Sequence, residues 1–408
     1  MNHQELAPNY KLPFTMLFTF AMVQFVNVLD FMIMNPLGPT FEEEFGIKTS
    51  QFGFLVGIYT LTAGIAGLIV SSFIDKTRPK KAITVIFIGF LLGTLACAFA
   101  VDFTTMLLAR AFTGAFGGLM SGMVMAFIGD TIPVQKRGAA IGIVMSAFAL
   151  ASVIGVPFGL FLADRYSWQT PFLAVVGIGL LVFIALRAYV PDIPRPDGAG
   201  KEKRNPFSGL VAAFSVNNHR NALILTFLLM LGQFSIIPFI ASYMIHNVGF
   251  SKDQLNLIYL VGGLASVGVA PLAGKLSDKY GRYPVFAIMS VVAIVPIYFI
   301  TNCPPISEIG LPLILTVSSL FFICSGGRMI PANAMITSSV PMKIRGGFMS
   351  VNSSVQHLSS AFAAFISSQI VFQPIKNGPI ERYEWVGYIA IFCTFIALWL
   401  GKKLKIEG

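Results

Sequence analysis

The chain has 408 residues, 55% hydrophobic and only 11% charged, with a mean hydropathy of +0.77. Soluble domains carry about 25% charged residues, so this composition excludes a soluble globular protein and points to a polytopic membrane protein. The net charge of +10 does not indicate nucleic-acid binding, because the lysines and arginines sit in short clusters between apolar stretches, on alternate loops.

Reading from the N-terminus, a polar start, MNHQELAPNYKLP, leads into an apolar segment too long for a cleaved signal peptide, which reads as a retained first span. Apolar stretches of about 20 residues then recur. They fall near 14–40, 51–73, 82–101, 105–129, 139–163 and 170–190, and again near 221–247, 254–276, 284–301, 311–338, 347–372 and 386–401. The longest polar stretch, 191–220, begins rich in Pro, Gly and charge, as a linker does; FSGLVAAF within it reads as a short interfacial helix. The fold expected is an all-α integral membrane protein of twelve transmembrane helices in two six-helix bundles, residues 1–190 and 221–408, joined by 191–220. The short loops leave no room for a soluble catalytic domain.

Lys and Arg favour one side of these spans by about four to one, with only Lys48, Arg165, Lys252, Lys376 and Arg382 on the other. This asymmetry predicts a multi-pass cell-membrane protein, in a bacterium the inner membrane, with both termini and the linker in the cytoplasm. Cys97, Cys303, Cys324 and Cys393 form no CxxC or Cys/His cluster, so neither a metal site nor a disulfide framework is expected.

Charge inside the spans marks function, because it is costly at bilayer depth and usually faces a wet cavity or a partner. Asp30 is the one acid placed deep in a span. It lies about ten residues, roughly 15 Å, below the outer end of span 1, and Arg110 about six residues, roughly 9 Å, below that of span 4. An arginine side chain bridges that difference. Arg328 in span 10 has no acid within about fifteen positions and is left to find Asp30, backbone carbonyls, water or an anionic ligand. His357 in span 11 falls at a similar depth. Gln24, Asn27 and Asn35 give span 1 a polar face; Gln233 and Asn333 add polar points in spans 7 and 10; Phe25, Phe31, Tyr59 and Phe234 supply an aromatic wall.

An internal repeat divides the chain. Asp75-Lys76 after span 2 answers Asp278-Lys279 after span 8, and Pro133-x-x-x-Arg137-Gly138 after span 4 answers Pro341-x-x-x-Arg345-Gly346 after span 10. On these motifs the whole chain resembles the major facilitator superfamily. The superfamily's loop motif G-x-x-x-D-R/K-x-G-R-R/K is matched by Gly274, Asp278, Lys279, Gly281 and Arg282. The first-half copy keeps Asp75 and Lys76 but carries Ser71, Arg78 and Pro79 in place of Gly, Gly and Arg. Asp130 and Arg137 match the acidic-x6-Arg partner of this gating network. Arg110 and Gly114 are similar to the span 4 arginine motif. Gly155, Pro157 and Gly159 are similar to the span 5 Gly-Pro motif of proton-coupled antiporters, although Ala147, Ala151 and Leu160 stand where glycines often occur.

The resemblance is strongest to the twelve-span drug:proton antiporter and arabinose-efflux-like permeases, and implies a pseudo-symmetric major facilitator fold with spans 1, 4, 7 and 10 around a central cavity. It implies a monomeric, proton-coupled antiporter exporting a small amphipathic or anionic solute by alternating access. No cofactor other than the coupling proton is expected. Asp30, Arg110 and His357 are the proton-coupling candidates. Arg328, Gln24, Asn27, Asn35, Tyr59, Gln233 and Asn333 are the substrate candidates, Arg328 as the anion contact. Import by the same fold and a non-transporting sensor stay open. An enzyme is not expected, since no nucleophile–base pair appears.

Overall fold

The computed structural model describes residues 13–74, 77–192, 214–342, 344–375 and 378–405. Ten helices among them are long and apolar enough to cross a bilayer. Span 1 is Phe14–Met34, span 2 Thr49–Ile74, span 3 Pro79–Ala98 and span 4 Phe103–Thr131. Span 5 runs Val134–Leu150, a π turn at Ala151–Gly155, then Val156–Arg165; span 6 is Thr170–Tyr189. Span 7 runs from Asn217 to His246 through a 3-10 turn at Ile237–Phe239, span 9 is Arg282–Thr301, span 10 Leu311–Ser338 and span 12 Tyr383–Lys403. Span 8, beginning at Lys252, is a pair of helices bent by 41°.

The twelfth crossing, span 11, is Arg345–Ile370. At 26 residues it measures about 39 Å, ample for a bilayer, yet it falls short in apolarity because it is rich in serine. Those serines do not face lipid bare. Ser359, Ser360 and Ser368 return their hydroxyls to carbonyls one turn back, and the helix lies along span 2. Glycines of span 2 allow the approach: a Cβ at Gly64 would stand 2.7 Å from Leu358, and Gly53, Gly57 and Gly67 meet Ser368, Phe365 and Ser354 in the same way.

Span 1 is shorter than the apolar run 14–40. Its helix stops at Met34, Pro36 has no N–H to continue it, and a separate short helix, Gly38–Glu44, follows. Asp30 is therefore only four residues, roughly 6 Å, from the end of its helix, and Arg110 seven residues, roughly 10 Å, from the start of its own. The order of depth inferred from the longer span is reversed.

The buried apolar core divides with the chain: one cluster draws on residues between Met16 and Val190, two others on residues between Ala222 and Leu400. The start of span 7 and the end of span 12 share one face, where Asn218 bonds Lys405; the opposite face is called distal here. Among the described residues, the hydrogen bonds joining the two halves all lie at the distal face. They are Thr49–Gln373, Glu42–Ser242, Glu42–His246, Glu43–Lys252 and Asp164–Asn256. The distal parts of spans 5 and 8 also pack together, Gly263 against the Ser152 carbonyl. The distal mouth is closed. The linker, with the interfacial helix expected in it, lies largely outside the described residues.

Candidate functional site

Span 4 begins with a capping box. The Asp102 carboxylate accepts the Thr105 N–H at 2.7 Å, and the Thr105 hydroxyl accepts the Asp102 N–H at 3.1 Å. The Thr105 N–H, with the Thr105 hydroxyl donating to the same carboxylate at 2.8 Å, holds the Asp102 carboxyl below the usual carboxylate range. Arg110 follows two turns later, fully buried. Its Nη1 donates to Asp30 Oδ2 at 2.8 Å, and both side chains are 0% exposed. Thr94 of span 3 donates to the other carboxylate oxygen at 3.0 Å. The guanidinium carbon lies 4.4 Å from the centre of the Tyr59 ring, and the Tyr59 hydroxyl donates to Asn27 Oδ1 at 3.2 Å. Nε and Nη2 of Arg110 have no hydrogen-bond partner among the described residues.

Small residues let this cluster close. A Cβ on Gly114 would run into the Tyr59 carbonyl, and one on Gly117 into the Tyr59 hydroxyl. Gly155 and Gly159 do the same for span 5 on span 1: added Cβ atoms would stand 2.8 Å from Leu29 and 2.5 Å from Ile33, on either side of Asp30. The π turn at Ala151–Gly155 ends just before Pro157, where a missing N–H already interrupts the helix ladder.

The chemistry of the cluster follows from its burial. A carboxylate with no access to water holds its charge only while paired, and an arginine cannot discharge by losing a proton. A proton on Asp30 would leave Arg110 as a buried cation facing one aromatic ring. The cluster is thus held together by the opposite charges of Asp30 and Arg110.

The remaining predicted residues are spread more widely. Gln24 donates to Ser121 at 2.7 Å, and the side-chain oxygens of Gln24, Asn35 and Gln233 have no partner among the described residues. Phe31 bridges the halves, its ring 5.3 Å from Tyr59 and 5.9 Å from Phe234 of span 7; Phe25 packs toward Gly155. Arg328 is buried, 2% exposed, and its Nη1 donates to Thr394 of span 12 at 3.2 Å while Nε has no partner among the described residues. Asp30 is occupied by Arg110, so Arg328 does not share it. Asn333 and His357 are half-buried, and His357 makes no hydrogen bond to a described residue.

In the gating motif, Asp75 and Lys76 lie outside the described residues, and so does the Asp130 side chain. Arg137 donates to the Gly129 and Ile132 carbonyls at 2.6 and 2.8 Å, and Arg345 to the Val340 carbonyl at 3.2 Å. The repeated PxxxRG arginines therefore do the same job twice, satisfying carbonyls at the end of spans 4 and 10. Arg282 fastens span 9 to span 10 through the Ala334 carbonyl and the Ser338 hydroxyl. Gly281 has φ +95°, a conformation that favours glycine. Asp278 and Lys279 are exposed and Gly274 faces open space.

Sequence reasoning missed Thr94, Ser121 and Thr394, neutral hydroxyls that carry no signal inside apolar runs. It also missed Glu42, whose partners lie about 200 positions away.

This arrangement of spans defines a class. The sequence profile of the Major Facilitator Superfamily matches residues 20–224 and again 222–405, and the chain belongs to that family. It is a multi-pass membrane transporter. It is 23% identical to the uncharacterized MFS-type transporter YceJ of Bacillus subtilis, over 91% of this chain and 93% of the relative. It is 24% identical to the purine ribonucleoside efflux pump NepI of Shigella sonnei, over 80% and 74%. Its fold is similar to that of a bacterial homologue of the human lysosomal transporter Spinster, solved inward-facing and unoccupied, with a TM-score of 0.71 at 15% identity over 97% and 98% of the two chains.

Proposed function

We propose that the protein is a proton-coupled antiporter that exports a small amphipathic or anionic solute by alternating access, with Asp30 carrying the coupling proton. The observation behind this reading is the fully buried Asp30–Arg110 pair at 2.8 Å, in a cluster held together by these opposite charges. Protonation of Asp30 frees Arg110, which must then reach water or a ligand. The spans carrying it move between two arrangements, and the proton biases that equilibrium. Antiport requires proton and solute to occupy the carrier in different states, so in this reading the solute contacts lie outside the pair and the solute binds while Asp30 is paired with Arg110.

The direction and solute class draw on the relatives. NepI is named as a purine ribonucleoside efflux pump, and a ring-bearing polar solute suits the aromatic set Phe31, Tyr59 and Phe234 with Asn27 and Gln233 beside it. Arg328, whose buried Nε has no partner among the described residues, is the anion contact of this reading. The asymmetry of basic loops orients the termini and linker to the cytoplasm, which makes the distal face extracellular and the closed mouth the outer one. Inside-out vesicles test the reading: purine ribonucleosides and small carboxylates are offered with and without an imposed pH gradient, inside acidic. Gradient-dependent accumulation supports export by antiport. Accumulation only with the opposite gradient identifies a symporter, and none in either condition with any candidate refutes the solute class.

A further inference from the structure

The buried carboxylate outside the Asp30 cluster is Glu42, on the short helix Gly38–Glu44 that follows span 1. It is 1% exposed, yet it sits where the two halves meet at the distal face, not in a span. Its oxygens are divided between two residues of the other half. Oε1 accepts the Ser242 hydroxyl at 2.6 Å, and Oε2 lies 3.0 Å from His246 Nε2. His246 is 9% exposed. Both partners stand on the last turns of span 7, so the group cannot survive a separation of the halves at this face.

From this geometry we infer that Glu42 and His246 form a proton-binding latch that holds the distal mouth shut, separate from Asp30 and independent of its role. A carboxylate removed from water needs a countercharge, and an imidazole is the side chain that ordinarily gains one between pH 5 and 8. In the closed mouth a proton on the pair makes a charge-assisted bond. In the open mouth both groups are hydrated and gain little from each other. The closed form therefore binds the proton more tightly, and by linkage acid favours closure while alkali favours opening.

The other charges nearby do not replace the pair. On the same helix Glu43 and Glu44 are exposed, and Glu43 pairs with Lys252 of span 8 at 3.0 Å, both about half exposed at 51%. Lys48 at the start of span 2, Asp253 of span 8, and Glu381 and Arg382 before span 12 are likewise exposed. Solvated charges of this kind are screened. The neutral link beside the latch, Thr49 to Gln373 at 3.2 Å, has no titratable group. Asp164, which accepts from Asn256, is exposed, and Glu384 in the first turn of span 12 is only half-buried; among the described residues of the mouth, Glu42 and His246 are the titratable pair from which water is excluded.

The test uses the full chain in lipid nanodiscs. Spin labels are placed on cysteines introduced at the exposed Lys48 and Asp253, across the mouth; the four native cysteines are buried. The closed-to-open ratio is read from the distance distribution between roughly pH 5.5 and 8.5. The parent ratio is expected to fall about tenfold over that range. Glu42→Gln and His246→Gln should each reduce the change to less than about twofold, while His246→Arg, with a permanent charge, should stay closed throughout. Asp30→Asn is expected to shift the ratio by a constant factor while keeping its fall with pH, which separates the latch from the proposed transport proton. A parent ratio indifferent to pH, or Glu42→Gln and His246→Gln responding as the parent does, overturns the inference. So does a response lost only in Asp30→Asn.

Discussion

Replacing Asp30 by Asn is the sharpest single perturbation of the buried cluster. The amide keeps an acceptor for the Thr94 hydroxyl and nearly the same volume, so the change is one of charge. Arg110, 0% exposed and with Nε and Nη2 already without a partner among the described residues, loses its counter-ion and retains only the Tyr59 ring 4.4 Å away. Breaking a buried pair from one side costs about 3–5 kcal/mol, and the Tyr59 contact, present in parent and variant alike, does not offset it. Asp30→Asn is expected to destabilise the folded state by about 3 kcal/mol, equal to about two orders of magnitude in an equilibrium constant. That is the same bias a proton on Asp30 would exert between two arrangements of the spans. The assay is a double-mutant cycle with Arg110→Gln, read by reversible unfolding in mixed micelles. Each single variant should lose about 3 kcal/mol, and the double variant clearly less than the sum, since it leaves no charge behind. Additivity within about 0.5 kcal/mol would refute the reasoning.

Gly114→Ala should destabilise by about 1–3 kcal/mol, because its methyl meets the Tyr59 backbone, whereas Gly122→Ala, with open space around it, should be neutral or better; thermal melts of the pair compare them. Arg328→Lys keeps the charge but loses the guanidinium fork; it should insert normally and weaken solute binding at least about tenfold in a binding titration, and unchanged binding in both Arg328→Lys and Arg328→Gln would remove Arg328 from the site. Asp102→Ala should lower the melting temperature at neutral pH. The depressed Asp102 carboxyl adds stability above its unfolded-state value and loses it as pH falls through its lower folded-state value. The difference from the parent should therefore shrink in paired melts at neutral and strongly acid pH, and a constant difference would contradict the cap.

Much of this architecture is legible in the sequence because bilayer length and hydropathy leave few alternatives. The failures have local causes. The apolar run past Met34 continues through Leu37 and Pro39, so hydropathy extends span 1 across a break that Pro36 makes in the hydrogen-bond ladder. Span 11 is the least apolar of the stretches read as spans, since it is rich in serines that turn to their own backbone and lie against the glycines of span 2. Asp30 and Arg110 are visible as charges out of place; their partners Thr94 and Tyr59 are not, because a hydroxyl or an aromatic ring in a span is ordinary. Arg328 is equally visible, but nothing in the chain order points to Thr394. Glu42 is hidden for another reason: a glutamate in a charged loop reads as solvated until the fold brings Ser242 and His246 over it.

The central claim, that Asp30 carries the coupling proton, is tested most directly in proteoliposomes by separating gradient-driven transport from exchange. Parent and Asp30→Asn proteins are compared for solute accumulation under an imposed pH gradient and for solute–solute counterflow without one. The account requires that Asp30→Asn lose accumulation while keeping counterflow, since solute alone can still reorient a carrier that no longer needs a proton. Accumulation by Asp30→Asn at the parent level would contradict it and move the proton elsewhere in the chain.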